Sequence, residues 1–286
     1  MKQNDEIFQN STNYKVIIEK LYDNKRYFII SALIFLIAAF IYNKFADKVY
    51  ENTTAVLVNE NTENQLLSSK DIMQGLSALG GNKNIENEVG ALKSFNLINK
   101  TVQDLGFEIS YYAEQNVFFS GTNKGSFLNA SSEYYKEMPF QVLIDKSVTQ
   151  PLYLNYYITF LPDNKFRLEA EGENVMMYNY VDNKIAGYLP SIKIDKVFQY
   201  GEPIADKNYS FKVLLKDNAS TEEFNKKCIY FKFNHPEYLT LQYQSQLTVE
   251  PTSKTASLIK ITASGGHPEK LPIFLTILHQ HTSTRT

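Results

Sequence analysis

Few residues in this chain are of types that could do chemistry, and the histidines come first among them. The four histidines are His235, His267, His279 and His281. The pair His279-x-His281 could supply two ligands to a metal ion, but zinc sites in proteins use three or four ligands, and no carboxylate or cysteine accompanies the pair. The sequence therefore predicts neither a metal site nor a bound cofactor.

Paired acidic residues are the second candidates, because glycoside hydrolases act through two carboxyl groups. Glu222 with Glu223, and Glu86 with Glu88, have the right residue types, but pairs at this density are typical of solvated surfaces. Cys228, the one cysteine, lies in an apolar run and is predicted to be a buried small residue rather than a nucleophile. Phosphate-loop, G-x-S-x-G and H-E-x-x-H motifs are absent from the sequence. We therefore expect no catalytic residues and no enzyme activity.

The aromatic residues have binding potential of a different kind. The chain has 20 Tyr and 19 Phe but no Trp. Tyrosine rings can stack on sugar faces and form a saccharide-binding surface, although in strands they are more often core residues and cross-strand partners. A formal net charge of -2, without a cluster of Lys and Arg, argues against nucleic acid as a partner.

One apolar segment indicates on which side of a membrane these residues lie. Residues 27–43 carry no charge and would span about 25 Å as a helix, near the lower limit for crossing the hydrocarbon core of a bilayer. Basic residues precede the segment: Lys2, Lys15, Lys20, Lys25 and Arg26. The positive-inside rule then places an amphipathic segment, residues 1–26, in the cytoplasm and the bulk of the chain in the periplasm. A cleavable signal peptide is the alternative, but the leader is long and no A-x-A-like site follows.

The remaining elements alternate between helical and strand patterns and predict an α+β fold. A strand is expected at 50–59, helices at 71–79 and from about 84, and a further helix capped by Ser94 and ended by Gly106. A strand follows from 107, and short apolar runs separated by turn residues predict further strands up to 233, at 140–144, 152–161, 166–170, 175–180, 192–200, 209–215 and 228–233. A helix from Pro236 and strands at 247–250 and 257–262 follow. The predicted architecture is a membrane-proximal mixed α/β domain, residues 44–112 and 234–270, with a β-rich, sandwich-like insertion at 113–233.

Several of these segments resemble the Wzz-type chain-length determinant domain of bacterial polysaccharide co-polymerases. Residues 87–94 are similar to an E-[IV]-x-x-L-K-S stretch, and residues 104–112 to a D-L-x-x-x-[IV]-x-Y-Y stretch, of the Bacteroidota branch that is fused to a cytoplasmic tyrosine autokinase. Residues 249–254, 257–261 and 268–270 resemble the return strands and the start of the long helix of the family. The resemblance covers about 1–112 and 234–270.

The resemblance implies a mechanical role rather than catalysis. Family members are expected to form homo-oligomeric rings in the bacterial inner membrane, beside the polymerase and export machinery and the nascent polysaccharide of capsule or exopolysaccharide assembly. The alternative is a membrane-anchored carbohydrate-binding β module with no role in chain-length control, in which the helical flanks are only a stalk.

The C-terminal segment, residues 271–286, departs from the family pattern of a long helix, a second span and a kinase. A shift of one base would restore an A-x-x-F-L-N-x-L pattern, so we expect an out-of-frame tail and a chain truncated before the second span. Such a tail should pack poorly, because Pro272 lacks an amide donor and because a sequence translated in the wrong frame has not been selected for packing.

Overall fold

The structure, a computed structural model, describes residues 19–20, 22–46, 48–57, 85–116, 124–126, 129–217, 220–224, 226–252 and 258–283. The helix predicted at 71–79 and most of the amphipathic segment 1–26 lie outside these residues. The chain divides into two units, Met1–Asp47 and Lys48–Thr286.

The first unit consists of one long helix in its described part. Helix α1, Lys25–Phe45, has 21 residues, and its Lys25–Asn43 portion is long and apolar enough to cross a membrane. Its apolar side chains are exposed, among them Phe28, Leu33 and Phe35. A signal sequence near the N-terminus passes the same test of length and composition.

The second unit contains an antiparallel three-stranded sheet whose strands come from distant parts of the chain. The strands, in the order β1-β13-β12, are β1 Tyr50–Leu57, β13 Leu258–Gly265 and β12 Leu247–Pro251. Tyr50 pairs with Gly265, and Leu247 pairs with Ala263. Residues on either side of 113–233 in the sequence therefore share one sheet.

Four helical segments accompany this sheet among the described residues: α2 at 85–92, α3 Phe95–Asp104, α4 Pro236–Ser245 and α5 Lys270–Ser283. The predicted caps are confirmed, because the Ser94 side chain accepts a hydrogen bond from the Leu97 amide and Pro236 occupies the first turn of α4. Gly106, with φ of +64°, ends α3 as predicted. The apolar faces of these helices and the sheet form one core, which includes Leu92, Ile98, Leu247 and Ile261.

The β-rich segment forms two further sheets. One has the order β3-β2-β11-β6-β7-β5, with β8 paired to β7, and the other has the order β4-β10-β9. Their strands are β2 Ile109–Asn116, β3 Asn129–Tyr134, β4 Phe140–Ile144, β5 Gln150–Pro151, β6 Tyr156–Leu161, β7 Lys165–Asn179, β8 Lys184–Gln199, β9 Pro203–Asp206, β10 Tyr209–Leu215 and β11 Cys228–Phe233. The fold class is α+β, as predicted.

Aromatic rings hold the two sheets of the β-rich segment together. Phe211 on β10 lies with its ring centroid 5.7 Å from Phe231 on β11, and Tyr156 on β6 stacks on Phe231 at 4.9 Å. All three side chains are buried. Rings in edge-to-face and stacked pairs stabilise such a core beyond their buried area, so most tyrosines and phenylalanines of these strands are structural.

Strand β7 is longer than the sequence pattern predicts. Separate strands are expected at 166–170 and 175–180, yet the chain runs through Gly172 without a break. A Cβ atom at Gly172 would lie 2.8 Å from Leu154 Cδ1 and 2.9 Å from Val175 Cγ2. A larger residue here would have to displace the Leu154 or Val175 side chain, so close packing rather than a turn favours glycine.

The expectation that residues 271–286 pack poorly is wrong for the described part. In α5 the side chains of Leu271, Phe274, Leu275 and Leu278 are almost fully buried. The sequence spaces these four residues at i, i+3, i+4 and i+7, which is one face of a helix. Pro272 lies in the first turn, where amides have no intrahelical acceptor, so its missing donor costs little. The structure thus removes the packing argument for an out-of-frame tail.

Candidate functional site: a lysine-lined cleft

The structure separates the two histidines of the possible metal pair. His281 Nδ1 lies 3.2 Å from Thr101 Oγ1, and its Nε2 lies 3.1 Å from Asp104 Oδ2, so this ring joins α5 to α3. His279 is exposed. Helix residues two apart point to different sides, and therefore the two rings cannot share one metal ion. Across the described ranges, no group of three or more His, Cys, Asp and Glu side chains could hold a metal ion.

The acidic pairs and the cysteine do not assemble a site either. Glu223 pairs with Lys227 at 3.0 Å, and its side chain is 68% exposed. Glu86 is exposed on α2, and Glu88 is partly exposed. Cys228 is buried, as predicted, on the paired strand β11. These residues provide solvated charge and packing.

Three tyrosines form a row across the outer face of the larger sheet. Tyr112, Tyr230 and Tyr157 are direct neighbours on β2, β11 and β6, and the Tyr112 and Tyr230 rings stack at 5.1 Å. Tyr230 is buried, and its hydroxyl lies 3.1 Å from Ser131 Oγ. Burial also raises the pKa of Tyr157 to about 12. The central ring is thus covered, and the row serves as a set of cross-strand partners rather than an open platform for sugars.

A cleft of about 400 Å³ opens between the turn that follows α3 and strand β4. Its lining combines apolar residues of β4 and of the turn after α3 with charged residues and two tyrosines: Glu108, Lys136, Lys146, Lys216, Tyr111 and Tyr135. Four separate stretches of the chain supply the charged groups, so no local spacing in the sequence could indicate them. We call this feature the lysine cleft.

Glu108 is the buried charge of the lysine cleft. Only 5% of the residue is exposed. Its Oε1 lies 2.7 Å from Lys146 Nζ, whereas its Oε2 is buried and has no hydrogen-bond partner in the described part of the chain. The backbone holds the residue in place, because the Glu108 carbonyl accepts a hydrogen bond of 2.8 Å from the Asn234 amide. A buried carboxylate oxygen without a donor is costly, so the ion pair with Lys146 is what stabilises this carboxylate.

Two further lysines carry positive charge without a matching carboxylate. Lys216 Nζ donates to the Lys136 carbonyl at 2.9 Å. Among the described residues, neither Lys136 nor Lys216 has a carboxylate within ion-pair distance. Burial lowers the pKa of Lys216, and the more distant Glu137 carboxylate opposes this effect. The cleft therefore has a positive end at these two lysines.

The wall opposite Glu108 is an open strand edge. Lys216 N–H donates to Pro139 O, and Asp145 N–H donates to Ser210 O. Along an antiparallel strand, every second residue directs its amide toward the partner strand. The amides of Phe140, Val142 and Ile144, which alternate with the bonded residues of β4, therefore point away from β10. The Val142 amide donates to the Tyr111 hydroxyl at 3.0 Å, and β4 is the terminal strand of its sheet among the described residues. The edge offers backbone donors and acceptors to the cleft.

Comparison with protein families gives a match for the N-terminal part of the chain. No curated protein matches the sequence. The matched segment includes α1, β1, α2 and α3, which are the elements that precede the lysine cleft. Residues 12–105 match the family model of Wzz, the chain length determinant protein.

Proposed function

We propose that this chain is a polysaccharide co-polymerase, anchored in the bacterial inner membrane, that sets chain length in capsule or exopolysaccharide assembly. The observation that carries the proposal is the match of residues 12–105 to the chain length determinant family. The pairing of β1 with β13 supports it further, because the resemblance requires the two flanks of the β-rich segment to form one domain. In the alternative of a carbohydrate-binding module on a stalk, these flanks would have no reason to pair.

The proposed role involves no catalysis by this chain. Identical anchored subunits would form a ring beside the polymerase and the export machinery, and the nascent polysaccharide would run along them. The motifs at 87–94 and 104–112 also support a place in the Bacteroidota branch that is fused to a tyrosine autokinase. We propose no kinase activity for residues 1–286 themselves.

The experiment compares polysaccharide length in cells that contain the polymerase. Deleting the gene should broaden or shift the length distribution on a gel, and the full chain should restore it. A second arm expresses residues 109–233, which include the whole of β2, behind the same α1 anchor. Restoration by this β-rich segment alone would show that the paired flanks are not needed for length control. No change on deletion would contradict the co-polymerase proposal and favour the carbohydrate-binding alternative.

The proposed membrane orientation is tested separately. Alkaline phosphatase, which is active only outside the cytoplasm, should be active when fused after residue 57 and inactive when fused after residue 22. The positive charge before α1 is the physical reason. The reverse pattern would refute a cytoplasmic N-terminus, and release of the first fusion into the soluble periplasm would favour a cleaved signal peptide.

A further inference from the structure

We propose that the lysine cleft binds an acidic sugar residue, a pyranose ring that carries a carboxylate, of the polysaccharide handled by this chain. The inference rests on the proposed function for the source of the sugar, but its geometry is independent of the family match. The cleft volume of about 400 Å³ lies at the small end of the range of about 300–1,000 Å³ for ligand pockets. Such a space suits a short stretch of sugar rings rather than a folded partner.

The charge of the cleft selects an anion. Glu108 neutralises Lys146 across 2.7 Å, which leaves Lys136 and Lys216 unmatched. Lys216 is partly buried and Lys136 is exposed, and an ammonium without a counter-ion is stabilised when a carboxylate enters. The lowered pKa of Lys216 has the same cause, since burial without a contacting carboxylate disfavours its charged form.

The opposite end of the cleft selects hydroxyl groups. Glu108 lines this end, and a carboxylate accepts hydrogen bonds from hydroxyl groups. The C-terminal turn of α3, at Leu105 and Gly106, also lines the cleft, and helix C-termini carry partial negative charge. One end of the cleft is therefore positive, and the other accepts hydrogen bonds.

This polarity favours a sugar acid over a phosphate. A phosphate dianion would face the Glu108 carboxylate and the end of α3, both of which repel it. A uronate-type ring places its carboxylate and its hydroxyls on different atoms of one ring, so both ends of the cleft are satisfied. The Tyr135 ring, also in the lining, adds an aromatic surface against which a sugar face can pack.

Calorimetric titration of the full chain in detergent micelles tests the proposal. The probes are a tetramer of galacturonic acid, the matching tetramer of galactose and inorganic phosphate. We expect the acidic tetramer to bind at least tenfold more tightly than the neutral one, and its affinity to fall as salt is raised. Equal affinity for the two tetramers would overturn the proposal. So would phosphate binding with the same lysine dependence in the absence of tetramer binding.

Variants locate the binding. Lys216→Met and Lys136→Met should each weaken the acidic tetramer at least fivefold. Lys196→Met is the matched control, since Lys196 is an exposed lysine on β8 outside the cleft, and it should leave affinity unchanged. Near-ultraviolet circular dichroism verifies that each variant is folded. An equal loss in the control and in Lys216→Met would refute the assignment to the cleft.

The same variants separate this inference from the proposed function. If the wild-type chain restores polysaccharide length in cells but does not bind the acidic tetramer, the cleft assignment fails and the co-polymerase proposal stands. If the chain binds the tetramer through Lys136 and Lys216 but deletion leaves polysaccharide length unchanged, the co-polymerase proposal fails and the cleft remains a sugar site.

Discussion

Replacing Phe274 by alanine should strongly destabilise the second unit, because this side chain is the centre of the α5 contact with the core. Phe274 is fully buried, and its ring centroid lies 4.8 Å from that of Tyr243 on α4. A buried aromatic side chain removes about 150–250 Å² from water, which at ~25 cal/mol per Å² is worth roughly 4–6 kcal/mol. Alanine retains part of this area, so we expect a loss of about 3–5 kcal/mol, in line with other buried Phe→Ala substitutions.

The assay is urea unfolding of the full chain in detergent micelles, followed by tyrosine fluorescence. With a slope of about 3 kcal/mol per M, the midpoint should fall by about 1–1.7 M. Thr276→Ala is the control, since Thr276 is exposed on the same helix and should change stability by no more than about 0.5 kcal/mol. A loss below about 1 kcal/mol for Phe274→Ala would mean that α5 does not pack as described, and the expectation of an unselected C-terminal segment would return.

Three further predictions concern single positions and the chain as a whole. Gly172→Ala should destabilise the second unit by about 1–3 kcal/mol, because the new Cβ would overlap Leu154. A Cβ at Gly90 in α2 meets nothing within 4 Å, so Gly90→Ala should be neutral or stabilising. Similar urea midpoints for the two variants would contradict this prediction. Burial lowers the pKa of His267 and His235 below the usual 6.5. The unfolded state therefore binds more protons in mildly acidic solution, and stability should fall as the pH is lowered from 7 to 5. Imidazole titrations by NMR with midpoints above 6.5 would refute this prediction. Incubation of the purified chain with ATP should leave its tyrosines unmodified, and phosphotyrosine found by mass spectrometry would show that it is an enzyme.

The strands that the sequence predicts with the correct bounds are those with local signals. Phe140–Ile144, Tyr209–Leu215 and Cys228–Phe233 are found as expected, because apolar runs bounded by turn residues need no distant information. The Ser94 cap and the Pro236 start are local for the same reason.

Elements that depend on tertiary contacts are the ones that sequence reasoning missed. β3, with the sequence NASSEY, has no strand pattern of its own and is held by pairing to β2. The sequence pattern predicts the end of a strand near Gly172, because the close packing of this glycine against Leu154 involves a residue outside its own strand. The lysine cleft combines Glu108, Lys136 and Lys216 from distant stretches, so only the folded chain shows it.

The pairing of β1 with β13 has a consequence for the order of events during synthesis. Tyr50 cannot pair before Gly265 has been synthesised. At a synthesis rate of about 5–20 residues per second, the intervening chain takes roughly 10–40 s to emerge. During that interval β1 is an unpaired strand, which is a hazard for aggregation. Its first half carries Glu51, Asn52, Thr53 and Thr54, and only Val56 becomes buried. The polar composition of β1 thus suits a strand that leaves the ribosome early and completes its sheet last.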